Sequence, residues 1–130
     1  SWVNIDGQMM QSVSGGAQFG GGLVISTIDH ARVGLLFARN GSWNGKQLVS
    51  GEWIKMATKP SPANSNYGYM WWLTGTEREN EGISKNLFYA SGMGGNYVVI
   101  DRDRDIVIVL RWLNPSKFYE MTGMIMRALK

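Results

Sequence analysis

The sequence predicts an α+β fold: an antiparallel sheet with helices packed on it, an α/β sandwich. Three observations carry that expectation. Two β-branched runs, Asn96-Tyr97-Val98-Val99-Ile100 and Ile106-Val107-Ile108-Val109-Leu110, flank the polar stretch Asp101 to Asp105, the pattern of an antiparallel hairpin. Neither run alternates apolar with polar residues, which implies that both faces of the sheet are covered. Helical patterns stand on either side of the hairpin in the chain, one after Ser26 and one after Asn114.

Taken in order, Ser1 to Gly22 reads as a short extended piece (Trp2, Ile5) followed by an irregular, polar, glycine-rich loop. Ser26 with Asp29 three residues on forms a capping-box-like start for a helix. Ile28, Ala31, Val33, Leu35, Leu36, Phe37 and Ala38 surround most of that helix, which predicts burial on several sides. Asn40-Gly41 ends it through a left-handed cap. Asn44-Gly45 is a hairpin-turn signal. Ser50 then caps a short helix, Gly51 to about Thr58, stopped by Pro60. Ser61 to Asn66 is loop by composition, Tyr67 to Leu73 an aromatic-rich strand, and Thr74 to Asn86 a long exposed connection. Asn114-Pro115 opens the last helix, with proline at its first position. Its predicted apolar stripe is Phe118, Met121, Ile125, Ala128 and Leu129, set to lie on the hairpin.

Composition narrows the function classes. The chain has 130 residues, 44% of them hydrophobic and 18% charged, a globular composition of about one domain, taken as a single unit over residues 1–130. No stretch approaches the roughly 20 apolar residues of a membrane span. The net charge of +3 forms no basic stripe, because Arg102 and Arg104 alternate with Asp101, Asp103 and Asp105, so no nucleic-acid partner is expected. With no cysteine and one histidine, neither a structural metal site nor a disulfide is expected. The opening residues Ser1-Trp2-Val3-Asn4-Ile5 read as the middle of an ordered segment, which points to a fragment or a processed chain.

A complete nucleophilic site needs a serine, a base within hydrogen-bond reach and an orienting group. The sequence has no Gly-x-Ser-x-Gly elbow and no Ser-x-x-Lys in a helical setting. Ser84-Lys85 and Ser116-Lys117 are adjacent pairs that cannot share a helix face. His30 reads as a helix-surface or interface histidine, and the aspartates of the 101–105 turn as solvated. The segment Phe88 to Asn96 stands apart. Its apolar start runs into small residues, Ala90-Ser91-Gly92-Met93-Gly94-Gly95, and straight into a buried strand. Small residues on a strand edge let a substrate approach closely, and such a strand can aim a backbone amide at a developing oxyanion, a donor worth about 3 kcal/mol of barrier. The plainer alternative is a tight bend before a hairpin.

With these residues in view, the chain resembles the serine β-lactamases and penicillin-binding proteins, nearest to the class C branch and its esterase and 6-aminohexanoate-dimer hydrolase relatives. Ala90-Ser91-Gly92-Met93-Gly94-Gly95-Asn96 with the following hairpin is similar to that family's third active-site element, in which a Lys-Thr-Gly or His-x-Gly triplet on an edge strand precedes glycines, a hairpin and a final helix. Gly20-Gly21-Gly22-Leu23, with Ser26 through Gly34, resembles the family's Gly-Gly-Leu and Asp-x-Ala-Arg-x-Gly helix. Gly45 to Trp53 and Tyr67 to Trp72 fall in the family's usual order.

The resemblance implies the C-terminal portion of a β-lactamase-like fold. It implies that the Met93 backbone amide forms half of an oxyanion hole, with its side chain lining the acyl pocket, and that Ala90, Ser91, Gly92, Gly94, Gly95 and Asn96 bind substrate. Ala90 stands where many relatives carry lysine or histidine, a departure that favours esters and neutral amides over carboxylate-bearing β-lactams. The family's Ser-x-x-Lys and Tyr-x-Asn elements would lie upstream, on an N-terminal companion segment. The implied chemistry is acyl-enzyme hydrolysis of a small-molecule ester or amide without metal or cofactor. Trp71, Trp72 and Trp112 are read as core or pocket-rim residues. A competing reading is a non-catalytic binding module that keeps the fold and lacks the nucleophile; an unrelated α+β domain is a third.

Overall fold

The computed structural model describes residues 2–5, 8–11, 25–75 and 78–129, and for 2–11 and Asn80 the backbone alone. The glycine clusters Gly15-Gly16 and Gly20-Gly21-Gly22, and the resemblance resting on Gly20 to Leu23, lie outside the described residues.

The architecture is mixed α and β with antiparallel sheets. Strand β1 (Trp2–Ile5) pairs with β2 (Gln8–Gln11). This second strand stands in place of part of the expected loop. Helix α1 (Thr27–Ala38) begins where Ser26 Oγ accepts the Asp29 N–H at 3.0 Å, as the capping pattern predicts. It ends at Asn40 and Gly41, both left-handed (φ 54° and 83°). Strands β3 (Ser42–Trp43) and β4 (Lys46–Gln47) form a small hairpin whose Asn44-Gly45 turn has φ 47° and 76°. Ser50 caps α2 (Gly51–Ala57) by accepting the Trp53 N–H.

The main sheet has four antiparallel strands in the order β5 (Trp72–Leu73), β6 (Phe88–Gly92), β7 (Asn96–Asp101) and β8 (Ile106–Leu110). Both faces are covered, as the unbroken apolar runs require. On one face Phe88, Val98 and Ile100 are buried, with Val107, Val109 and Phe37 of α1 packed against them. Gly34 makes the closest approach of α1; a Cβ there would meet Val98 and Val107 side-chain carbons at 2.8 and 2.5 Å. On the other face Tyr89, Tyr97 and Val99 pack under Phe118 and Met126 of α3 (Phe118–Ala128). Among the described residues no helix is long and apolar enough to cross a membrane.

Four expectations need correction. The strand expected over Tyr67 to Leu73 shrinks to Trp72–Leu73, because the chain turns at Gly68 (N–H to the Trp71 carbonyl, 2.8 Å) and Met70 (φ 67°) around the end of α2. The Thr74–Asn86 connection is packed, not exposed: Ile83 and Thr74 are buried, and Thr74 Oγ1 donates toward the Ser84 and Leu87 carbonyls, both at 2.9 Å. The α3 stripe is rotated. Phe118, Thr122, Gly123 and Met126 are buried, while Met121 and Leu129 are exposed. Small residues at 122 and 123 let the helix close on the Glu81 carbonyl, 2.7 Å from where a Gly123 Cβ would lie. Of α1 only Gly34 is fully buried, and Ile28 and Val33 remain exposed.

Candidate functional site

Strand β6 positions the site. Its first half is paired on both sides, through Leu73↔Phe88 and Trp72↔Tyr89 to β5 and through Phe88↔Ile100 and Tyr89↔Val99 to β7. Its second half, Ala90 to Gly92, pairs only with Val98, Tyr97 and Asn96 of β7, since β5 stops at Trp72. The outer edge of this half is open among the described residues.

The phase of that edge follows from two hydrogen bonds. Thr74 N–H donates to the Leu87 carbonyl at 3.2 Å, while Leu73 N–H turns away to Asn66 at 2.9 Å. Backbone groups alternate sides along an antiparallel strand, so Leu87, Tyr89 and Ser91 send theirs toward the β5 side, and Phe88, Ala90 and Gly92 toward β7. Ser91 thus presents its N–H and C=O to the open edge, and Met93 follows as the first residue of the turn. The Met93 N–H has no backbone acceptor among the described residues.

The turn after β6 is firmly built. Gly94 and Gly95 take φ 79° and 75°, a region that favours glycine. A Cβ at Gly95 would collide with the Leu113 carbonyl, and one at Gly94 would sit 2.7 Å from the Trp112 ring. Leu113 N–H donates to the Gly95 carbonyl at 3.0 Å. Asn96 Nδ2 donates to the Met93 carbonyl at 2.7 Å, and its Oδ1 accepts from Arg111 Nε at 2.9 Å. Among the predicted substrate-binding residues, then, Asn96 commits its side chain to the turn, as do Gly94 and Gly95 their backbones. Ala90, Ser91 and Gly92 line the edge. The Met93 side chain is 88% exposed and lines none of the hollows described below.

Beside Ser91, on the α3 face, lies a cleft of about 220 Å³. Trp72, Tyr89, Tyr97, Phe118 and Tyr119 wall it, with Pro115 and Ser91 at its margin. Tyr89 and Tyr119 share a hydroxyl–hydroxyl hydrogen bond of 3.0 Å, and burial, then that bond, push the Tyr89 phenol well above its usual value. Tyr89 is therefore a fixed protonated group and no base. The Arg78 guanidinium covers the Tyr119 ring 4.0 Å from its centroid and pairs with Glu81 at 2.7 Å. The Ser91 hydroxyl has no hydrogen-bond partner among the described residues, and no histidine, lysine or carboxylate lines the cleft. No group of three potential metal ligands occurs among the described residues.

Two larger hollows, of about 320 and 400 Å³, flank the β7–β8 turn, and none of Ala90 to Asn96 lines them. There the expected solvated aspartates are largely structural. Asp101 is fully buried and accepts from the Asp103 N–H at 3.0 Å and from Arg104. Asp103 accepts from Ser84 Oγ at 2.7 Å and from Asn86, bonds that hold its carboxyl below the usual range. Of the three tryptophans, Trp71 is core, Trp72 rims the cleft and Trp112 lies exposed against Gly94.

The sequence reading missed the aromatic cleft and Arg111. Part of the cleft was within reach, since Tyr89 and Ser91 are two apart on one strand and Tyr97 pairs with Ser91, which places all three on one face. The described arrangement offers an open amide edge, a braced turn and an aromatic wall, but no activated nucleophile. The chain matches no family model and no curated protein sequence.

Proposed function

We propose that this chain is the C-terminal portion of a serine hydrolase of the β-lactamase and penicillin-binding-protein class. In this reading it acts through an acyl-enzyme on a small ester or amide, and its fold is the corresponding part of a β-lactamase-like domain. The observation that carries the reading is the open second half of β6, which offers the Ser91 backbone groups to a substrate beside a turn whose Met93 carbonyl is held by Asn96. Ala90, Ser91 and Gly92 form the docking edge and Met93 supplies one oxyanion donor. The serine nucleophile and its lysine come from a companion segment upstream, since no described serine is hydrogen-bonded to a histidine or lysine, and the carboxylate partners of Ser26 and Ser84 are bound away from β6. Ala90 leaves the edge without the cation that a substrate carboxylate would seek, so neutral acyl compounds are the expected substrates.

Labelling and mutagenesis test this. A fluorophosphonate or an activated ester, applied to the polypeptide that carries this chain with its upstream segment, is expected to give one covalent adduct. Peptide mass spectrometry should place it upstream of Ser1. An adduct on Ser91, or none, would sink the proposal. Within an active protein, Met93→Leu keeps most of the turnover because the donor is backbone. Met93→Pro removes the N–H and lowers kcat by about a hundredfold or more. Equal turnover in the two folded variants would remove Met93 from the oxyanion hole.

A further inference from the structure

We infer that the cleft beside Ser91 receives one uncharged aromatic ring, the aryl part of the ester or amide that the proposed hydrolase acts on. As a substrate subsite this rests on the hydrolase reading; as a ligand site it rests on the walls alone.

Size is the first argument. An apolar cavity of roughly 150 Å³ takes a benzene ring, so an open cleft of about 220 Å³ has room for one ring with a short substituent. The second argument is the lining. Tyr89 and Tyr97 each lie 4.4 Å from Phe118, and Tyr119 stands edge-on to Tyr89 at 90°. Trp72 lies nearly parallel to Tyr89 at the mouth and keeps 38% of its surface exposed. Tyr89, Tyr97 and Phe118 are packed on one another and nearly buried, so they form an aromatic floor, and the accessible Trp72 ring at the rim is what a guest ring would pack against.

Charge decides what kind of ring. The walls carry no ionised group, so a carboxylate guest would lose its water without finding a cation. Arg78, stacked on Tyr119, is paired with Glu81, so this pair offers neither an anionic nor a cationic guest a strong counter-charge, and the walls themselves hold no carboxylate. The Tyr89 and Tyr119 hydroxyls are bonded to each other, whereas at the Ser91 margin the hydroxyl and the outward backbone groups are unpartnered among the described residues. An amide or ester oxygen joined to the ring by one or two atoms would reach that margin. The ring would then lie in the cleft and the carbonyl along β6.

The test uses four probes on the purified protein: phenylacetamide, cyclohexylacetamide, phenylacetate and benzylammonium, followed by backbone and indole NMR shifts. Phenylacetamide is expected to saturate, with its largest shifts at Ser91 and at the Trp72 indole, and the other three to bind at least several-fold more weakly. Trp72→Ala weakens phenylacetamide about tenfold, the effect of one lost aromatic wall, and Met56→Ala on α2 leaves it unchanged. Should Trp72→Ala fail to fold, Ser91→Leu, at an exposed position on the margin, blocks the cleft instead. Equal binding of phenylacetate, or shifts centred away from Ser91 and Trp72, would overturn the inference. Ring binding here without any serine adduct would leave the ligand site standing and defeat the hydrolase reading. An adduct without ring selectivity would do the reverse.

Discussion

His30 is the one imidazole of the chain, and it sits partly buried on α1 with its Nδ1 short of a hydrogen-bond partner among the described residues. Burial, and then the nearby Arg111 charge, lower its pKa from the ordinary histidine value. Its neighbour Asp29 offers no relief, being engaged with Ser26 and Arg32. The sign of the linkage follows. A histidine that binds protons less readily when folded leaves stability intact above the unfolded value of about 6.5, and stability falls as pH drops through the window below it. Urea unfolding between pH 8 and pH 5 should therefore show a midpoint that declines below about pH 6.5, and His30→Gln should flatten that decline. The carboxyls of Asp29 and Asp103, both lowered by hydrogen bonds, act in the carboxylate range at more acid pH and leave a separate step. A midpoint in the wild-type protein that stays level down to pH 5 would show that His30 titrates as it does in the unfolded chain.

The segment after β8 works as one element, bracing the β6–β7 turn from outside. Arg111 orients the Asn96 amide so that its Nδ2 meets the Met93 carbonyl, Arg111 Nη1 reaches the Ile25 carbonyl at 3.3 Å, and Leu113 holds Gly95. Arg111→Ala should free the Asn96 side chain, at a stability cost of about 1 kcal/mol or less because the bonds are exposed. Amide hydrogen exchange at Leu113, whose N–H is bonded to Gly95, should speed up while that at Val99 stays slow; unchanged exchange at Leu113 would mean that the glycines alone hold the turn. This brace was not legible in the sequence, since Arg111 and Asn96 are joined only through the fold. The elements that were legible carry local signals: the caps Ser26 and Ser50, the Asn44-Gly45 turn, and the uniformly apolar hairpin. The α3 face misled because an apolar stripe counts Met121 and Leu129 as buried. The structure instead chose small Thr122 and Gly123 for close approach to Glu81. The cleft stayed hidden because Trp72 reaches Tyr89 only through pairing across a connection that sequence alone showed as exposed.

At the scale of the whole molecule, α1 and α3 cover the two faces of the sheet, and its edges differ. β5 guards only the first half of β6, whereas β8 is a full strand of Ile-Val-Ile-Val-Leu with no charge, proline or bulge along it. Such an edge is a template for another strand. Its phase is fixed by the same alternation that orients Ser91. Gly92, Ala90 and Phe88 face β7, so Asn96, Val98 and Ile100 face back to them, and Tyr97, Val99 and Asp101 face β8. Their partners Leu110, Ile108 and Ile106 are therefore bonded inward, while Val107 and Val109 direct their N–H groups to the outer edge. In dilute protein, hydrogen exchange should be slow at Ile106, Ile108 and Leu110 and fast at Val107 and Val109, although the two valines pack their side chains under α1. Protection of Val107 and Val109 equal to that of Val99, and independent of protein concentration, would mean that a further strand of the same polypeptide already covers this edge. Protection that grows with concentration would mean that copies of the chain meet there.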